Sequence, residues 1–456
     1  MTTTITARAT EAFTRALPGI ATVRAPYQSA VFRIGLSAVV LAFLLREWPH
    51  RHQLYGNSSA LPFDLAQVLV HEERTFTVLI WSDGSLWFET VYLLTLCAAL
   101  AVLLGWHTRG TSVVLMTGVL SIINRNSLVG DGGDNVVRIM VVYLVFTRCA
   151  QVWSLDARRR ARRAQRPDAA AAEASAALPS LALWALALGP LAALSALPTA
   201  GWLPVFWILW AVHGIWFGVE RWLRHHEMRA VLDAAASMLH NCAMLVIAAQ
   251  VCLIYATAGW YKIQGTRWQD GSALYYALHL DYFSPWPALS GFVANQTLVV
   301  LALTYGTVMV QVAFPFTLTH RKTKNVLLAL MIMEHLGIAV LLGIPFLSLA
   351  MITCDAVFLP TPFLIALGAR LERLGARVRG RTPGAPRSRR GAGACTDGAN
   401  ADGTAAVTGL PRQGETEWPP NRPLPESRGT GEVAADEARR VPHSARFAPD
   451  LFRSRS

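Results

Sequence analysis

The stretch LDAAASMLHNCAMLVIAAQVCLIYATAG, residues 232–259, runs directly into WYKIQGTRWQDG, residues 260–271. Its first part has one acidic residue, Asp233, and no lysine or arginine. A helix needs about 20 mostly apolar residues to cross a bilayer, so this run predicts a transmembrane helix. The second part places Lys262 and Trp268 at the edge of that span, where a charged side chain is either an interfacial anchor or a functional group.

The composition of the whole chain agrees with a membrane protein. Hydrophobic residues make up 53% of the 456 residues and charged residues only 15%, whereas soluble domains have about 25% charged residues. The net charge of +12 is concentrated in short loops and at both ends, which is typical of membrane topology rather than nucleic-acid binding. We therefore expect the lipid bilayer as a partner and no nucleic acid.

Hydropathy predicts an all-α, polytopic transmembrane bundle of about eight to ten spans. A cytoplasmic N-terminal segment is expected at 1–27, the transmembrane domain at 28–367 and a basic, Gly/Pro/Ala-rich, disordered cytoplasmic tail at 368–456, whose composition cannot bury enough apolar surface to fold. The predicted spans are 28–46, 87–106, 110–124, 134–152, 178–197, 202–219, 232–259, 292–318, 325–343 and 345–367.

Basic loops set the predicted orientation. With about ten spans and a cytoplasmic N-terminus, the positive-inside rule is met, because all the strong basic runs then lie on the cytoplasmic side. The rule predicts a bacterial-type plasma membrane protein with both termini cytoplasmic, and it puts segments 124–135 and 262–287 on the outer face. The basic runs are DARRRARRAQR at 156–166, RWLRHHEMR at 221–229, HRKTK at 320–324 and the arginine-rich stretch from Arg370.

Lys262 is the first candidate for chemistry. On one continuous helix, His240, Tyr255 and Lys262 fall within a stripe about 60° wide. A lysine in an apolar pocket can act as a base or nucleophile, whereas a lysine at the end of a span can also reach back to water beside a belt of aromatic residues such as Trp268. Spacing alone leaves both interpretations open.

The acidic turn GDGGDN, residues 130–135, supplies the second candidate, Asp134. Asp134 can take part in the N-terminal cap of the following helix or pair with Arg138 four residues later. A third interpretation places Asp134 opposite Lys262 across an outer cavity.

Ionisable residues also occur inside predicted spans: Glu334 and His335 in 325–343, Asp355 in the last span and Arg33 in the first. Unpaired charge at mid-bilayer costs roughly 2.5–3.5 kcal/mol or more, so we expect these groups to face the bundle interior. Structural pairing, for example of Arg33 with Glu334 or Asp355, and a proton or substrate path are both open. Complete metal-ligand spacing is missing from the His-Glu pairs, so no metal site is predicted.

Several of these segments together resemble one family. They are similar to the HTTM proteins, membrane proteins related to vitamin K-dependent γ-carboxylase and to the sporulation-delaying protein B group of bacteria. The K-x-x-G-x-x-W-x-x-G pattern from Lys262 to Gly271 is the most specific part. The matching segments are RIGLSAVVLAFLL at 33–45, NRNSLVGDGGD at 124–134, WSLD at 153–156, AGWYKIQGTRWQDGSALYY at 258–276 and EHLGIAVLLGIPFLSLAMI at 334–352.

The resemblance implies a role for Lys262 as the base that deprotonates a hydroquinone on the outer side of the membrane, and hence a quinone-like cofactor. Two features depart from the carboxylase. Tyr261 stands where the carboxylase has a second lysine, and the predicted tail stands in place of its large lumenal domain.

The expected function is therefore a carboxylase-like membrane enzyme, or a maturation factor for a small exported peptide, with its active site near the outer face. Two alternatives stay open: a transporter or channel-like protein with a polar path through Glu334, His335 and Asp355, and a non-catalytic partner of a neighbouring membrane protein. For the enzyme, Lys262 and Asp134 are the expected catalytic residues. The expected substrate-binding residues are Trp268, Tyr255, His240, Glu334 and His335.

Overall fold

The computed structural model describes residues 22–165, 184–195, 203–222 and 227–378, and all regular secondary structure within these ranges is helical. The predicted all-α class is confirmed for this part of the chain. The predicted disordered tail begins too early, because residues 368–378 belong to a helix, Thr361–Val378. The rest of that tail, 379–456, and the start of the N-terminal segment, 1–21, lie outside the described residues. The α-helices are Pro26–Glu47 (α1), Arg51–Leu54 (α2), Phe63–Glu72 (α3), Ser85–Leu104 (α4), Thr108–Arg125 (α5), Gly132–Val145 (α6), Leu155–Ala164 (α7), Leu188–Leu194 (α8), Leu203–Trp222 (α9), Glu227–Gln264 (α10), Thr266–Gln269 (α11), Ala273–Leu278 (α12), Pro287–Ala294 (α13), Thr297–Ala313 (α14), Arg321–Leu341 (α15), Pro345–Asp355 (α16) and Thr361–Val378 (α17).

Short 3₁₀ turns join several of these helices, at Trp48–His50, Val78–Ile80, Asp281–Phe283, Phe314–Thr317 and Ala356–Phe358. Within the described ranges, five helices are long and apolar enough to cross a bilayer, and a bent pair raises the number to six if it counts as one span. This supports a multi-pass membrane protein. The five are Pro26–Leu54, Ser85–Leu104, Arg229–Gln264, Thr297–Thr317 and Arg321–Leu341.

The last predicted span, 345–367, is broken. Its two halves, Pro345–Phe358 and Thr361–Gly375, are bent by 114°. Leu359 between them is extended, with φ −64° and ψ 140°, as expected for the residue before a proline, and Pro360 follows it. α17 therefore does not continue α16 but turns across the end of the bundle, where its Leu364 is fully buried.

Basic segments gather at one end of the bundle. Gln28, near the start of α1, donates to the carbonyl of Leu359 at 2.8 Å, and Lys324, near the start of α15, donates to the carbonyl of Phe358 at 2.5 Å. The loop before α7 contacts α17, since a Cβ at Gly368 would lie 2.7 Å from the Trp153 ring. At the opposite end of the bundle, the start of α6 contacts the start of α16. This arrangement agrees with the charge-based orientation, in which these basic segments share one side.

Arg33, whose side chain is fully buried, links several segments at the basic end of the bundle. Its Nη1 donates to the carbonyls of Val102 and Leu103, at 2.5 and 2.7 Å, and its Nη2 donates to the carbonyl of Trp153 at 2.8 Å. The first two carbonyls lie in the last turn of α4, where the regular helical donors are missing, and that of Val102 also accepts from the Gly105 N–H at 3.0 Å. Arg33 thus caps α4 and ties it to the loop before α7.

Close packing of α4 on α5 depends on Gly118. A Cβ at Gly118 would collide with the Oγ1, Cβ and Cγ2 atoms of Thr95. Thr95 cannot rotate away, because all three of its side-chain heavy atoms lie in the path and its hydroxyl is already bonded to the carbonyl of Val91 at 2.6 Å.

The substitution Gly118→Ala is therefore expected to lower the free energy of unfolding by about 1–3 kcal/mol, because it overpacks a rigid helix contact. Gly110 on the same helix is the matched control, since a Cβ there meets nothing within 4 Å. Gly110→Ala should be neutral or stabilising by up to about 1 kcal/mol through helix propensity. Unfolding titrations of both variants in mixed micelles would measure the difference, and equal stabilities would contradict the packing argument.

Candidate functional site

Lys262 lies in the last turn of α10, and its ammonium points into the bundle. Its Nζ donates to Oε1 of Gln311 on α14 at 2.7 Å, and it lies 5.2 Å from the centre of the Trp268 ring on α11. The amide oxygen and the ring face both favour a cation. Lys262 therefore has a defined internal position, which favours a functional or structural centre over an interfacial anchor.

Gln311 connects Lys262 to a carboxylate. Its Nε2 donates to Oε1 of Glu334 on α15 at 2.5 Å, and its side chain is only 4% exposed. The amide is oriented so that its oxygen meets the cation and its NH₂ group meets the anion. Lys262, Gln311 and Glu334 form a chain across three helices, which we call the Lys262 centre.

The three residues of the Lys262 centre lie at different levels of their helices, with Lys262 and Gln311 in the last turns of α10 and α14 and Glu334 in the middle of α15. Gln311 is 14 residues from Thr297, the start of α14, or about 21 Å of helix, and two residues from its end at Ala313. Glu334 is 13 residues from Arg321, the start of α15, or about 20 Å. The predicted location of the site near the outer face stays a prediction. The short helices α11 to α13 follow Lys262 on the way to the start of α14.

Glycines of the motif hold this region in place. Gly271 has φ +78°, which favours glycine, and a Cβ there would collide with Leu301 on α14. Gly259 packs directly against Val312, whose Cγ2 lies 2.5 Å from the position of an added Cβ. The close approach of α10 to α14 at Gly259 is what allows Lys262, one turn later, to reach Gln311.

Asp270, outside the long helices, closes the motif. Its Oδ1 accepts from the Ser272 hydroxyl at 2.5 Å and from the Ser272 backbone N–H at 2.9 Å. These hydrogen bonds lower the pKa of the Asp270 carboxyl, with a smaller contribution from nearby Arg267. Asp270 thus has a local structural role in the turn before α12.

A second buried cluster lies close to the Lys262 centre. The Tyr255 hydroxyl contacts both carboxylate oxygens of Asp355, at 2.9 and 3.0 Å, and Nε2 of His335 at 3.0 Å. The exposed fractions of these residues are 1%, 0% and 5%. A single hydroxyl proton that goes to Asp355 leaves the oxygen free to accept from the histidine. The predicted pairing of Asp355 with Arg33 is wrong, because the Arg33 hydrogen bonds go to backbone carbonyls and Asp355 is bonded to Tyr255.

Tyr255→Phe is expected to lower the free energy of unfolding by about 1–3 kcal/mol, because Asp355 and His335 then lose a hydrogen-bond partner in a buried place. The ring itself is retained and keeps its edge contact with Phe314. The matched control is Tyr282→Phe, since Tyr282 is 89% exposed. Thermal unfolding of both variants in detergent would report the effect, and equal melting temperatures would rule out a stabilising role for the cluster.

Two consecutive residues of α15 present buried atoms without a hydrogen-bond partner. These atoms are Oε2 of Glu334 and Nδ1 of His335. Buried polar atoms are nearly always paired, so unpaired ones indicate strain or a binding role. The centre thus keeps an acceptor on Glu334 for a further donor, although its other oxygen is held by Gln311.

Asp134 has a different environment from Lys262. Asp131 is the N-cap of α6, and its side chain accepts from the N–H of Asp134 at 3.1 Å, while the Asp134 carboxylate accepts from the N–H of Asp131 at 2.9 Å. The predicted capping role is confirmed as a capping box. The predicted pairing with Arg138 is not formed, because Arg138 donates instead to Asn124 and Asn135.

The structure also does not bring Asp134 and Lys262 together: within the described ranges no hydrogen bond or ion pair joins them. Asp134 lines an apolar crevice between α1, α5 and α6. Its carboxylate is used by the cap, so Asp134 is not part of the Lys262 centre.

His240 is likewise separated from the centre. Its Nδ1 accepts from the backbone N–H of Arg148 at 2.9 Å, and its Nε2 donates to the carbonyl of Arg24 at 2.8 Å. Both nitrogens are therefore occupied in a junction at the basic end. His240 is 22 residues from Lys262 on α10, or about 33 Å. The three residues of the predicted stripe, His240, Tyr255 and Lys262, therefore contact three different parts of the bundle.

Of the predicted site residues, Lys262, Trp268 and Glu334 come together, and Tyr255 and His335 form the neighbouring cluster. Gln311, which links Lys262 to Glu334, was not predicted. The only signal for it in the sequence is a lone amide in the apolar run VMVQVAF, residues 308–314. Among the described residues, no group of three histidine, cysteine or acidic side chains is arranged to hold a metal ion.

No protein-family model matches the chain, and no curated protein or solved structure matches it.

Proposed function

We propose that this chain is a multi-pass membrane enzyme with an HTTM-like domain, in which Lys262 acts as an intramembrane acid–base group. The observation that supports the proposal is the chain of hydrogen bonds from Lys262 through Gln311 to Glu334. Ionisable groups within membrane helices are costly. Here three helices contribute side chains to one hydrogen-bonded chain that holds two such groups. The motif around Lys262, which is similar to the γ-carboxylase relatives, adds independent support.

The proposed step is a proton transfer. The neutral amine of Lys262 takes a proton from a substrate hydroxyl, and the bond between oxygen and hydrogen breaks as the bond between nitrogen and hydrogen forms. The resulting ammonium is stabilised by the Gln311 oxygen, the Trp268 ring and the nearby Glu334 carboxylate. Gln311 fixes the geometry, because its amide holds both charged partners at once.

A quinone-like group, implied by the family resemblance, fits the chemistry of these residues. The free oxygen of Glu334 can accept from a hydroxyl, and the indole of Trp268 offers an aromatic surface. When bound, a hydroquinone supplies a weakly acidic hydroxyl. Lys262 would act on that proton, and Trp268 and Glu334 would hold the ring and its hydroxyl.

The proposed topology has about eight to ten spans with both termini in the cytoplasm of a bacterial-type cell. The convergence of the basic segments at one end of the bundle supports it through the positive-inside rule. A small exported peptide stays a candidate second substrate, by resemblance alone.

Oxygen consumption by a short-chain naphthoquinol tests the proposal. Deprotonation speeds the reaction of a hydroquinone with oxygen, so the full chain in nanodiscs should accelerate it. Lys262→Met should remove this acceleration by about 10²–10⁴-fold, the usual contribution of a general base. Lys322→Met, which removes an exposed lysine on α15, is the matched control and should keep the full rate. Equal rates for the two variants would refute the role of Lys262.

Proton-coupled transport is the second candidate. It is favoured by the adjacency of Glu334 and His335, which places two ionisable clusters in succession within the bundle. Transport predicts that proteoliposomes take up protons across the membrane and that Glu334→Gln stops this uptake. Proton-tight vesicles with active naphthoquinol turnover would favour the enzyme instead.

A further inference from the structure

Two arginine-rich helices lie at the basic end of the bundle, and neither belongs to the Lys262 centre. The first is α7, LDARRRARRA, which has five arginines and one acidic residue. Arg158 and Arg162, four residues apart on one face, are both exposed. An exposed row of arginines that outnumber acidic residues attracts anions.

The position of α7 is fixed rather than loose. The carboxylate of Asp156 accepts from the backbone N–H groups of His107 and Thr108, at 3.0 and 3.1 Å, at the start of α5. The N–H of Asp156 in turn donates to the carbonyl of Gly105 at 3.0 Å. Ser154, which is buried, caps α7 through the N–H of Ala157 at 2.9 Å. The first turn of α7 is therefore held against the α4–α5 turn, at the very end of two apolar helices.

The second helix is α17, bent by 114° from the line of α16. Since α16 packs along the bundle, this bend turns α17 across the bundle end, in the direction of a membrane surface. Gly368 lets α17 pack closely against the ring of Trp153, a residue just before α7 in the chain. Its arginines, Arg370, Arg373 and Arg377, fall within about 60° of one another around the helix, and all three are exposed.

Leucines lie beside this row of arginines. Leu367, Leu371 and Leu374 follow one another on the adjacent face and are 38%, 59% and 54% exposed. A helix with exposed leucines next to exposed arginines is typical of one that lies in the interface, with its apolar face among acyl chains and its cations among headgroups. Exposure of these leucine side chains to water would cost free energy, so contact with acyl chains is favoured.

We propose that α7 and α17 together form a binding surface for the anionic phospholipid headgroups of the cytoplasmic leaflet. We call this surface the basic platform. Lipid phosphates pair with the arginines of both helices, and acyl chains cover the leucines of α17. Clusters of basic residues next to membrane helices bind anionic lipids with about 1 kcal/mol per residue, which is about fivefold in affinity. This inference does not depend on the acid–base role of Lys262.

A lipid titration of the full chain in a neutral detergent tests the platform. Short-chain phosphatidylglycerol is expected to bind more tightly than phosphatidylcholine, as followed by thermophoresis of the labelled protein. Arg370→Gln/Arg373→Gln should weaken phosphatidylglycerol binding by about 25-fold and leave phosphatidylcholine binding unchanged. Arg158→Gln/Arg162→Gln, on α7, should have a similar effect.

The matched control removes the same charge elsewhere. Arg46 and Arg267 are 62% and 59% exposed and lie outside the platform, so Arg46→Gln/Arg267→Gln should retain tight phosphatidylglycerol binding. The proposal is overturned if phosphatidylcholine binds equally well, if the α17 variant binds like the wild type, or if the control loses as much affinity. Thermal unfolding of each variant without lipid distinguishes loss of binding from loss of fold.

Discussion

Replacement of Arg33 by methionine is expected to lower the free energy of unfolding by about 3–5 kcal/mol. The change removes a fully buried guanidinium that donates to the carbonyls of Val102, Leu103 and Trp153. The Val102 carbonyl keeps a second donor, the Gly105 N–H. The change also detaches the end of α4 from the loop before α7. Unfolding titrations in mixed micelles would measure the loss.

A less severe variant and a surface control make this result specific. Arg33→Lys keeps the charge but not the planar set of donors, so it should recover only part of the stability. Arg46→Met, at an arginine 62% exposed, should change the stability by less than about 0.5 kcal/mol. If Arg33→Met were as mild as Arg46→Met, the guanidinium would not be holding these segments together.

Replacement of Lys262 by methionine is the second change with a large expected effect. It should abolish the acceleration of naphthoquinol oxidation and also lower the free energy of unfolding by about 2–3 kcal/mol, because Glu334 then lacks a countercharge in the bundle interior. The activity assay tests the proposed role of Lys262, whereas the stability assay tests the hydrogen-bonded chain itself.

A double-mutant cycle separates the two contributions. Lys262→Met combined with Glu334→Gln removes both charges, so it should recover part of the stability lost in Lys262→Met while the activity stays absent. The coupling energy should be about 1–2 kcal/mol, the upper range for hydrogen bonds between membrane helices. Strictly additive stabilities would show that Gln311 does not couple the two residues.

Hydropathy predicted most of the long helices, because the length of an apolar run directly reflects the thickness of a bilayer. It could not predict the break at Leu359 and Pro360, since the residues on both sides are apolar and only the proline marks the bend. Charge placement likewise predicted which basic segments share one end, because the positive-inside rule acts on loops and needs no knowledge of packing.

Partners between helices were much harder to predict. Pairing of Arg33 with a carboxylate was one open possibility, yet its guanidinium donates to backbone carbonyls at a helix end, where the regular helical donors are missing. Gln311 was missed because a neutral amide gives no charge signal. Helical spacing placed His240, Tyr255 and Lys262 on one stripe correctly, but a stripe about 33 Å long passes several unrelated neighbours.

The length of α10 has a mechanical consequence. At 38 residues it is about 57 Å long, nearly twice the thickness of the hydrocarbon core of a bilayer. It is clamped 13 residues after its start by the hydrogen bonds of His240 with Arg24 and Arg148. A pivot at that clamp would swing the far tip sideways, so a tilt of about 5° displaces Lys262 by about 3 Å over the intervening 33 Å. That distance is one hydrogen-bond length, so the contact of Lys262 with Gln311 depends on the bonds of Tyr255 and the packing of Gly259, which hold the far part of α10 against α16 and α14.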